Sequence, residues 1–226
     1  MDQLGIFALA FTLGFIHSFD VDHLCAVASF ASHARTTREG VRLGIRWALG
    51  HSIAVAVFGT GLVLLKAAVP TWFNTVAECL IGFVLVGVGA WLVREVFRQQ
   101  HLHFHWHEHD GHQHFHVHSH QHGTDHTHDH KLTALGILHG LAGTSGVLLL
   151  LPVGLANSTP AALVYVFTFG AGTICSMALF GAFAGRLFIW FQRWNRGVRI
   201  ARGAVGVTSC VVGFVWIGNA VQHFTH

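Results

Sequence analysis

His17-Ser18-Phe19-Asp20-Val21-Asp22-His23 sets two imidazoles and two carboxylates directly behind an apolar run, residues 4–16, that has the composition of a membrane helix. Ionisable groups at membrane depth are costly and by default mark function. The stretch therefore decides two things together: the chain belongs in a bilayer, and the place to look for its chemistry is inside the first span.

Composition agrees. Of 226 residues, 52% are hydrophobic and only 10% charged, with 26 Gly and 3 Pro, whereas a soluble domain carries about a quarter charged residues. At roughly 20 residues per transmembrane helix the chain has room for about six spans. Apolar runs bounded by charge or turn residues predict them at 4–32, 41–65, 75–96, 132–156, 161–191 and 198–221. Met1-Asp2-Gln3 lacks the basic segment of a cleavable signal, so the first helix is expected to stay. Twelve of the 13 basic residues, Lys66 being the exception, flank the first, third and fifth connections. By the positive-inside rule those connections are cytoplasmic and both termini lie outside, in the cytoplasmic (plasma) membrane.

The two halves resemble each other. Leu13-Gly14-Phe15-Ile16-His17 matches Leu135-Gly136-Ile137-Leu138-His139, and Val57-Phe58-Gly59 matches Leu179-Phe180-Gly181 at the same offset. The expected fold class is thus all-α and polytopic, six transmembrane helices arranged as a 3+3 inverted repeat with a midplane site between the halves. The first three-helix unit, with the site, occupies residues 1–98, a His-rich loop residues 99–130, and the second unit residues 131–226.

On a regular helix turning about 100° per residue, Asp20 lies about 60° from both His17 and His23, while Asp22 points about 140° away from His17. If one ion is to meet all four, the helix must be broken around Phe19 to Asp22. Neutral imidazole suits nickel, cobalt, copper or zinc, whereas magnesium and calcium call for oxygen alone. A divalent transition metal is the natural guest, with Asp20 in a supporting role that fixes a histidine tautomer. Two further histidines sit among small residues that permit close helix approach: His51, followed by Ser52, and His139, followed by Gly140. Either could instead be a packing residue.

The spacing His17, four residues, then Asp22-His23, followed by Leu49-Gly50-His51-Ser52, resembles the nickel/cobalt permease family. The resemblance covers the first two helices in detail and the six-helix layout more loosely. It implies His17, Asp22, His23 and His51 as the residues that select and move the metal, with Asp20, Ser52 and His139 as supporting candidates. Where uptake members carry an acidic Gly-Phe-Asp-Thr-Ala-Thr-Glu type element, this chain has Phe169-Gly170-Ala171-Gly172-Thr173, and no carboxylate follows Lys131. In this it looks more like the short efflux or accessory members, some of which carry a His-rich cytoplasmic loop.

That loop holds His101, His103, His105, His107, His109, His112, His114, His116, His118, His120, His122, His126, His128 and His130. It cannot bury a core and is expected to be disordered until metal orders it. Its imidazoles should bind several ions without defined geometry, at affinities that fall below about pH 6.5 as they protonate. Cys25, Cys79, Cys175 and Cys210 are scattered singly and read as packing residues. The arginines follow from topology and lipid attraction, not from nucleic acid.

The expected function is a secondary transporter of divalent nickel or cobalt, export favoured over uptake. The alternatives are a nickel uptake permease and a non-transporting metal-binding or accessory protein for a nickel enzyme. The ion is cargo and no prosthetic group is expected. No H-E-x-x-H pair suggests an enzyme. Partners are the metal ions and the lipid bilayer, with a homo-oligomer left open.

Overall fold

The computed structural model describes residues 3–65, 71–98, 104–109, 112–117, 127–142 and 158–225. In chain order they form α1 (Gln3–His17), α2 (Val21–Ala31), α3 (Thr37–Leu65), α4 (Thr71–Arg98), β1 (Phe104–His109), β2 (His112–Val117), α5 (Thr127–Ala142), α6 (Thr159–Phe191) and α7 (Asn195–Thr225).

Four helical stretches, Thr37–Gly61, Thr75–Arg98, Thr159–Phe191 and Arg196–His223, are each long and apolar enough to cross a membrane, and the α1–α2 pair is a fifth if its 62° bend is one broken span. Among the described residues, four or five of the six expected spans are found. The span expected at 132–156 is represented by a short apolar helix, Leu132–Leu141, and its remainder, 143–157, lies outside the described residues. The outer surface is apolar: Phe83, Phe167, Phe183 and Phe214 are each more than half exposed, as a lipid-facing surface requires.

The four largest helix interfaces map onto one another when α1 is exchanged with α5, α3 with α6 and α4 with α7. The two largest interfaces are α3 with α6 and α4 with α7, followed by α3 with α5 and α1 with α6. Glycine allows backbones to touch at matching points. A side chain at Gly14 would meet the Phe169 carbonyl, and one at Gly136 would meet the Trp47 carbonyl; Gly14 to Gly136 and Trp47 to Phe169 are both steps of 122 residues. Gly50 against Thr133 and Gly172 against Phe11 repeat the relation at that step. Small residues at such crossings replace the hydrophobic driving force that lipid removes.

The first span breaks where the site needs it to. Past Gly14 the backbone tightens, with Phe19 N–H donating to the Ile16 carbonyl (2.9 Å) and Asp20 N–H to that of His17 (3.1 Å), before α2 restarts with Leu24 N–H on Asp20 (3.1 Å). Asp20 is the N-cap of α2, in extended backbone (φ −57°, ψ 138°), yet its side chain caps nothing. Asp22 lies inside the first turn of α2 and not in the broken segment. A carboxylate is favourable there, beside unpaired backbone N–H groups and the positive end of the helix dipole.

The far end of α2 is fastened by polar contacts. His33 Nε2 lies 2.9 Å from the Glu95 carboxylate on α4, Arg202 of α7 donates to the Ser32 carbonyl at 3.0 Å, and Gln192 donates to that of Ala34 at 3.1 Å. These hold α2 while the broken segment sets its angle to α1.

Within the His-rich tract, β1 and β2 form an antiparallel hairpin that pairs His105 with His116, His107 with His114 and His109 with His112. All other elements among the described residues are helices, as the all-α expectation has it. Strict alternation is also the period of a strand, and Asp110-Gly111 between the strands is a two-residue hairpin signal. His128 and His130 fall in α5, which starts earlier than the expected 132. His101, His103, His118, His120, His122 and His126 lie outside the described residues.

Candidate metal centre

Halfway along the stretch from Gln3 to Ala31, His17 ends α1 and His23 stands in the first turns of α2. A straight helix would carry His23 about 9 Å along the axis from His17. Because of the bend their ring centroids are 4.7 Å apart, edge to face. His51 enters from the middle of α3, its ring 5.6 Å from His17 and 5.1 Å from His23. One ligand nitrogen from each of the three lies within 4.8 Å of the others, and all three residues are buried. A metal bound at about 2.0–2.1 Å to three nitrogens needs them roughly 3.4 Å apart, so movements of about an ångström would close the set.

The hydrogen bonds assign the tautomers. His23 Nδ1 faces the His17 carbonyl at 3.2 Å, and His139 Nδ1 faces the Leu135 carbonyl at 3.1 Å. Carbonyls only accept, so in both neutral rings Nδ1 carries the proton and Nε2 presents its lone pair. His17 Nδ1 faces Asp20 Oδ2 at 3.0 Å, and the carboxylate assigns the same tautomer. This explains why Asp20 leaves α2 uncapped: its side chain is turned back to His17. Both His51 ring nitrogens are buried without a hydrogen-bond partner among the described residues, a state that costs free energy unless a ligand or water completes it.

Asp22 is buried, with Oδ2 3.6 Å from His23 Nε2 and Oδ1 without a partner among the described residues. Its carboxylate belongs to a second close group, with Asp20 and His23, and not to the three-imidazole group. The four residues expected to meet one point thus form two overlapping groups that share His23. Ser52 is not drawn in; its hydroxyl donates to the Gly170 carbonyl on α6 at 3.3 Å.

Two aromatic residues were not singled out from the sequence. Trp47 packs against His23, His51 and His139 at 4.9, 5.1 and 5.6 Å between ring centroids, and Phe169 covers His17 at 5.5 Å. The available signal for Trp47 was its position four residues before His51, one turn away on the same face. His33 and Glu95 pair across 62 positions of sequence, which no local pattern reveals.

Comparison with known proteins adds a family and a relative. Residues 9–214 match the family described as the cytochrome C biogenesis protein transmembrane region, a different family from the nickel/cobalt permeases that the two motifs resemble. The chain is 28% identical to the urease accessory protein UreH of Bacillus sp. (strain TB-90), over 97% of this chain and 93% of the relative. No solved structure matches.

Proposed function

We propose that this chain, which belongs to the cytochrome C biogenesis protein transmembrane region family, is a multi-pass membrane transporter of a divalent transition metal, nickel or cobalt, with His17, His23 and His51 as ligands and Asp22 assisting beside His23. The observation that carries the proposal is the convergence of three buried imidazole nitrogens within 4.8 Å at a break in an apolar span. A site of this kind exchanges the metal's water shell for neutral nitrogen donors, which nickel and cobalt accept and magnesium does not. The Asp22 carboxylate offsets part of the ion's charge, and Asp20 holds the His17 tautomer. The matching helix contacts at a step of 122 residues support two inverted three-helix units, and motion of one against the other would open the site to either side in turn. The distribution of basic residues favours termini outside and the His-rich tract in the cytoplasm, where it would gather ions ahead of export.

The test is metal flux into liposomes holding the purified protein. Double replacement H17A/H23A should abolish nickel and cobalt flux; normal flux in that variant would refute the assignment.

A second reading, a membrane accessory protein that delivers metal to a nickel enzyme and carries out no flux of its own, is favoured by one observation, the relative named for a urease accessory role. Absent flux in wild-type liposomes, with metal binding confined to residues 101–130, would decide for it.

A further inference from the structure

His139 is built like a ligand but stands outside the three-imidazole group. It is fully buried, the Leu135 carbonyl holds its Nδ1 proton, and its Nε2 lone pair is enclosed with no hydrogen-bond partner among the described residues. Burial of an unsatisfied acceptor is unfavourable, and a bound cation would offset that cost. Its ring stands 5.9 Å from His23, and Trp47 packs against both it and His51. The backbone beside it is close to α3 as well, since a side chain at Gly140 would meet the His51 carbonyl.

The internal repeat says which residue His139 corresponds to. A step of 122 takes His17 to His139 and Trp47 to Phe169, and the two ring contacts are nearly equal: His17 to Phe169 is 5.5 Å and His139 to Trp47 is 5.6 Å. The same step takes His51 to Thr173, which has no nitrogen to offer. The second half therefore cannot assemble a triad of its own. Its histidine can serve only together with the first half's His23 and His51.

We propose that His139, His23 and His51 form a second station for the transported metal, and that the ion passes between stations by exchanging His17 for His139 while His23 and His51 keep hold. The inference rests on the transporter reading above. In the exchange the bond to His17 Nε2 breaks as the bond to His139 Nε2 forms; the metal stays divalent and no proton moves, because each Nδ1 keeps its own. The exchange keeps three nitrogens on the ion throughout, which matters where an uncoordinated divalent cation would be far too costly. His17 and His139 ride on α1 and α5, which pack against α6 and α3 respectively, so relative motion of the halves can favour either bond.

The experiment uses full-length protein, Co²⁺ as an optical probe, and liposome flux. H139Q should bind Co²⁺ within about threefold of wild type yet transport it at least about tenfold more slowly, mainly through kcat. H139C should add a sulfur-to-cobalt charge-transfer band, a signature that no packing role produces, and this holds even if H139Q proves unstable. Wild-type flux in H139Q, or the absence of that band in metal-loaded H139C, overturns the proposal. Loss of Co²⁺ binding in H139Q as complete as in H23A also overturns it, by placing all four imidazoles in one site. If H17A/H23A transports normally, the transporter site itself has failed, a result separate from any outcome at His139.

Discussion

A single carboxylate at position 20 faces two demands, capping the new helix and holding the His17 ring, and it meets the second. The uncapped helix forgoes about 0.5–2 kcal/mol, and the ring gains a fixed tautomer and orientation. Replacement D20N keeps the size of the side chain but weakens its grip on Nδ1–H, and should reduce metal affinity by about 10- to 100-fold while leaving thermal stability nearly unchanged. Titration with Ni²⁺ and a melting curve measure the two effects; a loss of stability with unaltered affinity would reverse the assignment. Trp47 has a different task. Its indole fills the space among three imidazoles, and W47A should cost about 3–5 kcal/mol as a cavity opens in the buried cluster, visible as a lower melting temperature in detergent.

The bend between α1 and α2 is what turns two distant histidines into a pair. A continuous helix would leave His17 and His23 about 9 Å apart along the axis and about 120° apart around it. Replacement of Ser18-Phe19-Asp20 by three alanines favours that continuous helix. It should weaken Ni²⁺ binding by more than D20A alone, with helical content by circular dichroism maintained or raised; equal affinities for the two variants would show that the bend is dispensable. A break in this segment was expected on the premise that all four polar side chains meet at one point; the break is there, and the four form two overlapping groups instead. That Asp22 falls in the restarted helix was not legible, since the choice depends on where the chain regains its hydrogen bonds. The hairpin in the His-rich tract was legible in its alternation and its Asp-Gly pair, and was obscured by a polar composition that reads as disorder.

At the scale of the whole molecule, the proposed transporter would select its ion at the compact buried centre and accumulate ions on the separate tract of exchangeable imidazoles. Deletion of residues 101–130 should change apparent affinity in flux assays and leave the order of preference among Ni²⁺, Co²⁺, Zn²⁺ and Mg²⁺ intact; an altered order would assign selectivity to the tract. The two units are held together by backbone contacts at small residues. G136L, which drives a side chain into the Trp47 carbonyl, should cost about 1–3 kcal/mol or more and lower the melting temperature, with G14L doing the same at the matching contact with Phe169. A large effect at one position and none at the other would contradict the proposed repeat of the two halves.

The sequence by itself determined the membrane class, the position of the costly polar cluster and the 122-residue echo between the halves. These follow from burial costs and helical periodicity, which are properties of neighbours along the chain. Only the tertiary structure decided that His51 joins His17 and His23, that Asp22 pairs with His23 outside that group, that Ser52 turns away to α6, and that His139 stands beside His23 with an enclosed lone pair. The Asp22 contact depends on where α2 restarts, and the other three on how far one helix is rotated against another. That rotation is set by backbone contact at small residues such as Gly14, Gly136 and Gly140, whose partners lie more than 80 positions away in the chain.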